Sequence, residues 1–550
     1  MNLNGSVLRK STGRGLRAGH LAAIGELLSA SFLVVAIVSS QGLIFSVRDF
    51  ESGAGLVSQF PLYYWLGMAA LILTCAILFT RVPDYSAYVY LSTLILVGAY
   101  LFGFKIAIQK IPWASWTFAP FFTVDSVLKT AHLSLSTVSN FYYYYQLPGN
   151  VLLNADIIAM TGLPARYLLS IMPFVWIFSF PIIGFSGCKR AGLSLKESFL
   201  ATLLVSSVWI FGFAGYEYPR LPAMLLFLTI VSLILAPHLS RTSLVLITIS
   251  FATIVITHSV TALATFSGLT FLMLYRRKFM VIVVTSSLLA AWYTYVSTGY
   301  LAPTLSTLGE GGVPLFNHFQ NLLSGTGQVS LLLERYLTLY DMAPFVVTII
   351  AVIVLLVLRR IDRTEERRNV SIVAFSAGVG AILPVFVSGE SIFRLFLMVV
   401  LPLAIAFIFL IRSNRILLIT GVIVILSLVV LSPIVNYSTD PYQYFAPEVG
   451  VVGFYSIHQV GQPYYYLFDE GDMFYFNHSM NALNWGRYEP GIAYNYSGMA
   501  LTPVVITSYL SSTIFGAPYS SWPSSTSAHR ADKVYGNRFS QVFLNWNLTN

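Results

Sequence analysis

Charge is what this sequence has least of. Asp, Glu, Lys and Arg together make up 10% of its 550 residues, while 56% are hydrophobic; a soluble globular domain carries roughly 25% charged residues. Water cannot be the main solvent of such a chain. Cysteine is nearly missing too: Cys75 and Cys188 are the only two, which excludes a disulfide framework and a cysteine-based metal site. There is no internal repeat and no long run of like charge, so neither a solenoid nor a charged linker is expected. The formal net charge of +9 does not indicate nucleic acid, because the basic residues fall in short clusters between apolar runs and not along one surface.

Apolar stretches of about 20 residues, in contrast, recur along the chain, and that length crosses a hydrocarbon core of about 30 Å. Spans are predicted at 21–46, 60–80, 85–107, 167–187, 198–216, 221–239, 243–257, 260–275, 279–298, 344–358, 370–388, 395–411 and 416–435. The fold class expected is therefore an all-α polytopic membrane protein with about thirteen transmembrane helices. The seventh and eighth spans are short and are expected to form a hairpin turning near His258. Arg9, Lys10, Arg14 and Arg17 precede an apolar run from Leu21 to Val47; it is too long for a secretory h-region and reads as a retained signal anchor.

The basic clusters set the expected orientation. With the N-terminus in the cytoplasm, the tail, Arg81, Lys189/Arg190/Lys196, Arg241, Arg276/Arg277/Lys278, the Arg359–Arg368 loop and Arg412/Arg415 all fall on the inner side. That is most of the Lys and Arg, as the positive-inside rule requires. An odd number of spans then exports the C-terminus of a multi-pass protein of the cell membrane and envelope. The expected layout is a cytoplasmic basic tail over 1–20, a transmembrane domain over 21–435 with outer loops 108–166 and 299–343, and an extracytoplasmic C-terminal domain over 436–550. Asn436, Asn477, Asn495 and Asn547 each begin an Asn-X-Ser/Thr triplet in that last segment, as a glycoprotein would have them, although Asn4 and Asn369 begin two on the inner side.

The tail has no span-length apolar run. It is rich in Tyr, Ser, Asn, Pro and Gly and carries Trp485, Trp522 and Trp546. Short β-prone stretches at Val449–Tyr455 and Tyr464–Phe468 suggest a small mixed or β-rich domain.

Chemistry is expected where the few charges gather, at the outer ends of the spans. Asp49, Glu51, Asp125, Asp156, Glu217, Glu310, Glu334, Asp341 and Glu390 lie there, with Arg48, Lys110, Arg220, Arg335 and Arg394. Any one of them could be no more than a solvated loop residue. Intramembrane charge is almost absent: Glu26 and Lys105 lie near span ends, where both can snorkel. The outer stretch from Phe121 to Pro164 holds Asp125, an expected amphipathic helix around His132, the tyrosines 142–145, and a Pro-Gly turn into a second apolar helix.

That order of outer-loop Asp, two loop helices, aromatic-Pro-Gly turn and TGLP run resembles the first catalytic loop of the GT-C superfamily of membrane glycosyltransferases. Short signatures at GYEYPR (Gly215–Arg220), ITHSVTAL (around His258) and SGESIFR (ending at Arg394) are similar to those of uncharacterised archaeal members. The outline of about thirteen spans and an exported tail resembles the oligosaccharyltransferase catalytic subunit, but no WWDYG-type motif is present. The long acidic loop also follows the third span here, and not the first as in most of the superfamily.

The resemblance implies transfer of a sugar from a polyprenyl-phosphate donor in the membrane lipid to a glycan, lipid or protein acceptor on the extracytoplasmic face. It implies a catalytic carboxylate, Asp125, with Asp49 or Glu51 in its place if the first loop is the catalytic one. Arg394 and Arg220 would hold the phosphate, and Glu217 and Glu390 would orient them or contact sugar hydroxyls. His258 has two readings, a phosphate contact or a capped turn residue. Some members use a divalent metal and some do not, and no compact His/Asp spacing decides it. Two other functions fit the composition: a transporter or flippase for a lipid-linked or small polar substrate, which would need ionisable residues inside the membrane, and a non-catalytic scaffold whose tail binds a partner.

Overall fold

A computed structural model describes residues 5–40, 59–80, 86–108, 127–133, 146–208, 220–236, 239–297, 389–412 and 414–438, isolated positions between them, and four strand segments in the tail. The helices in chain order are α1 (Gly5–Ser39), α2 (Leu62–Thr80), α3 (Ala87–Gly98), α4 (Gly149–Thr161), α5 (Ala165–Arg190), α6 (Leu195–Val208), α7 (Arg220–Ile234), α8 (Arg241–Thr257), α9 (Ser259–Tyr275), α10 (Phe279–Tyr295), α11 (Gly389–Ile411) and α12 (Arg415–Ser438). A π turn over Ala99–Gly103 carries α3 on into Phe104–Ile108. Among the described residues, α1, α2, α5 and α12 each contain a stretch long and apolar enough to cross a membrane, and the other apolar helices are shorter. With large apolar side chains such as Leu27, Val38, Ile249, Met280, Ile416 and Ile423 facing outward, the helical part is that of a membrane protein.

Polar punctuation starts the helices where the sequence places it. Ser194 and Glu197 form a reciprocal cap at the start of α6: the Ser194 N–H donates to Glu197 Oε2 (2.8 Å) and the Glu197 N–H to Ser194 Oγ (3.3 Å). Ser240 Oγ accepts from the Ser243 N–H at the start of α8, and Asn414 Oδ1 from the Ile416 N–H at the start of α12. Gly162 ends α4 in the left-handed region at φ 67°. Pro173, Pro181, Pro402 and Pro433 lie inside α5, α11 and α12, where neighbouring helices can compensate the lost bonds.

Small residues set the helix contacts, as packing without a hydrophobic driving force requires. At Gly67 a Cβ would collide with the Tyr100 hydroxyl and with Phe32. There the Tyr64 hydroxyl donates to the Tyr100 carbonyl (3.0 Å) and the Tyr100 hydroxyl to the Ser29 carbonyl (2.7 Å), tying α1, α2 and α3 together. Gly187 lets α5 approach Ser232 of α7 in the same way. The most enclosed helix is α7, in which all but Leu226 and Thr229 are buried.

The bundle has two chemically different ends. At one, Arg412 pairs with Glu197 (3.7 Å), Lys196 Nζ donates to the Phe79 carbonyl (3.3 Å), and Arg276 Nη1 donates to the Ala236 carbonyl (3.3 Å). These contacts bring the ends of α2, α5, α7, α9 and α11 together with the starts of α6, α8 and α12. It follows that the starts of α7, α9 and α11 and the end of α10 lie at the opposite end.

Two expectations need correction. Glu26 is not a lone charge near a span end: its carboxylate accepts from Thr93 Oγ1 and, at 3.1 Å, from Ser92 Oγ on α3. His132 is not helical, because the short helix before it ends at Ala131 with φ 50°. The expected spans at 344–358 and 370–388 lie outside the described residues or are described only at isolated positions, as is the expected strand at Val449–Tyr455. The tail contains a four-stranded sheet of order β1-β2-β4-β3, with β1 Tyr464–Tyr466, β2 Val504–Ser508, β3 Ala531–Gly536 and β4 Ser540–Asn545. Only β1 and β2 run parallel, and β3 carries an irregularity between Lys533 and Tyr535.

Candidate functional site

Of the eight residues singled out by sequence, two have described side chains, and they lie at the same end of the bundle. Arg220 is the first residue of α7 and is 4% exposed; His258, between α8 and α9, is 3% exposed. Glu390 and Arg394 fall in the first two turns of α11, whose backbone starts at that end. Asp49, Glu51, Asp125 and Glu217 lie outside the described residues.

Position decides the electrostatics of Arg220. A helix start is the positive end of the helix dipole, so a buried guanidinium there adds to a potential that already favours an anion. Phosphate and carboxylate are the groups that match a guanidinium fork.

His258 joins two helices. It stands in extended backbone (φ −155°, ψ 117°) as the end of α8 and the cap of α9. Its own N–H donates to the Ile254 carbonyl (2.9 Å), its carbonyl accepts from the Ala262 N–H (3.0 Å), and Nδ1 accepts from the Thr261 N–H (3.3 Å). Nδ1 also lies 2.9 Å from Thr261 Oγ1. Acceptance at Nδ1 puts the ring proton on Nε2, and the side chain caps the start of α9, as the capped-turn reading of His258 has it.

The Pro-Gly turn reaches the same place. Trp292 Nε1 (3.2 Å) and Ser297 Oγ (2.7 Å), at the end of α10, both donate to the Gln146 carbonyl. Gly149 lies so close to the end of α8 that a Cβ would collide with Thr257 Oγ1 and come within 3.0 Å of the Ile256 carbonyl. Glycine is needed there for approach and not for backbone freedom.

The helix that follows buries two polar side chains and exposes several apolar ones. α4 buries Asn150 and Asn154 and turns Leu152, Leu153 and Met160 outward, with Asp156 also exposed. On the buried face the two asparagines stand beside Val151 and Ala155. Asn154 Nδ2 donates to the Asn150 carbonyl (2.9 Å), but among the described residues neither atom of the Asn150 carboxamide has a hydrogen-bond partner, nor has Gln146 Oε1. Orphaned groups of this kind cost about 1–3 kcal/mol each. Sequence reasoning saw the turn and the helix but passed over Gln146, Asn150 and Asn154. The signal available was two asparagines four apart in an apolar helix, which places them on one face.

Among the described residues, no group of three or more His, Cys, Asp or Glu could hold a metal ion. No family model matches the chain, and no curated protein matches it. Among solved structures the chain is similar to the apo crystal structure of ArnT from Cupriavidus metallidurans, at 10% identity and a TM-score of 0.48, over 83% of this chain and 97% of that one.

Proposed function

We propose that this protein is a GT-C-type membrane glycosyltransferase. It takes a sugar from a polyprenyl-phosphate donor and delivers it to an acceptor at the end of the bundle remote from the basic clusters. The observation that carries this reading is the gathering of Arg220, His258 and the Pro-Gly turn at that end, with a buried cation at a helix start. A lipid phosphate lying between helices is an anion such a position suits.

The residues divide the work. Asp125, or Asp49 or Glu51 in its place, removes the proton of the acceptor hydroxyl, whose oxygen forms the new bond to the anomeric carbon. The bond from that carbon to the phosphate oxygen breaks, leaving its electron pair on the phosphate. Arg220 and Arg394 stabilise the charge that grows there. Glu217 and Glu390 orient the arginines or hold sugar hydroxyls, and His258 Nε2–H donates to the phosphate. The exported side is extracytoplasmic, and the β-stranded tail lies there.

The test is transfer from labelled polyprenyl-phosphate sugars by the purified chain, compared with Asp125→Asn and Arg220→Ala. Losses of about 10²–10⁴-fold are expected in both variants with folding intact. Wild-type rates in both, or no transfer by the native chain from any donor tried, would sink the proposal. One observation favours the transporter reading instead: Glu26 is held inside the membrane by Ser92 and Thr93, and intramembrane carboxylates mark substrate and proton paths.

A further inference from the structure

Two of the four buried residues of α4, Asn150 and Asn154, are polar, beside Val151 and Ala155. Aliphatic side chains would hold that face more firmly, and Asn150 at zero exposure leaves its hydrogen-bonding capacity unused among the described residues. No side chain caps the helix start, which is itself buried at Pro148, Asn150 and Val151. Because a helical Cα–Cβ bond tilts toward the N-terminus, the Asn150 carboxamide is aimed at that start, where Gln146 Oε1 also lacks a partner among the described residues.

We propose that the start of α4, with Asn150 at its centre and Gln146 beside it, is a binding subsite for an uncharged, hydroxylated group such as a sugar ring. A carboxamide offers donors and an acceptor together, and Gln146 Oε1 adds a second acceptor. Hydroxyl groups, each donor and acceptor at once, match that mixture. A phosphate, which only accepts, does not. The neighbouring element points the same way: the α4 start packs against the Ile256 carbonyl at the end of α8, whose negative dipole end offsets the anion preference of the α4 start. Charge recognition therefore falls to Arg220 and hydroxyl recognition to Asn150. The lipid-linked form of this ligand rests on the function proposed above; the hydroxyl chemistry does not.

The test uses the full chain in lipid nanodiscs with three probes: a polyprenyl-phosphate hexose, the bare polyprenyl phosphate, and methyl glycosides of glucose, galactose and mannose. Asn150→Leu keeps the branching at Cγ and removes the orphaned atoms, so its melting temperature should be no lower than wild type; Asn150→Ala is the second variant. Wild type is expected to prefer the sugar-bearing lipid over the bare one by roughly tenfold, the size of one buried hydrogen bond. Both variants should erase that preference while binding the bare phosphate as wild type does. A preference that survives in both variants overturns the subsite. If wild type binds neither lipid, the donor reading fails and the glycosides decide: a melting temperature raised in wild type but not in Asn150→Leu upholds the subsite, and no rise in wild type overturns it.

Discussion

Replacing His258 separates what its ring does for the fold from what it does for chemistry. Nδ1 accepts the Thr261 N–H and so satisfies one of the donors left free at the start of α9. His258→Ala removes that acceptor from a residue 3% exposed. The loss of a helix cap is worth about 0.5–2 kcal/mol; the upper part of that range applies because water cannot replace the bond at a buried turn. Asparagine is among the best capping residues and reaches the same N–H, so His258→Asn should recover nearly all of it, to within a few tenths of a kcal/mol. It does not restore a donor where Nε2 stands. The assay is thermal unfolding of both variants in one detergent, followed by the transfer rate of whichever remains folded. The expected result is a lowered melting temperature for the alanine variant only, and transfer reduced about tenfold or more in both. An alanine variant as stable as wild type would refute the capping argument. An asparagine variant with full transfer would confine His258 to structure.

Gly67→Ala should destabilise the contact of α1, α2 and α3 by about 1–3 kcal/mol, because its Cβ meets the Tyr100 hydroxyl and Phe32; Tyr100→Phe should recover part of the loss in the same melting assay. Gly149→Ala should lower transfer more than a surface substitution does, since its Cβ presses on the Ile256 backbone carbonyl and shifts α4, and wild-type transfer would show that the approach is unimportant. Ser194→Ala breaks the reciprocal cap of α6 and should cost about 0.5–2 kcal/mol. By contrast Arg412→Ala, which removes a partly exposed pair at 3.7 Å, should cost under about 1 kcal/mol. Glu26→Gln should leave glycosyl transfer unchanged while keeping the Ser92 and Thr93 contacts; a large loss would move weight to the transporter reading.

Apolar run length and basic punctuation are local properties, and they placed α2, α5, α8, α9, α10 and α12 to within a few residues of the described helices. The hairpin at His258 was legible for the same reason: an isolated polar stretch between two apolar runs has to be a turn or a cap. Ser194 and Glu197 sit at the spacing a reciprocal cap requires, although only the structure showed both bonds closing. What the sequence could not convey was which faces meet. Glu26 finds Ser92 and Thr93 across two helices, and nothing in the first span's own pattern indicates that partner. Gly149 reads as a turn glycine, but only the tertiary contact shows that it serves close approach to α8. The buried asparagines of α4 were missed because they share their face with the apolar Val151 and Ala155, and the environment of Asn150 depends on neighbours far away in the chain. Sequence alone determined that this is a membrane protein and where its helices turn, because burial in lipid is set by each segment's own composition. Which of its few polar groups face one another was decided by packing, since in lipid apolar surface holds no preference for the interior and only the fit of particular side chains sets the arrangement.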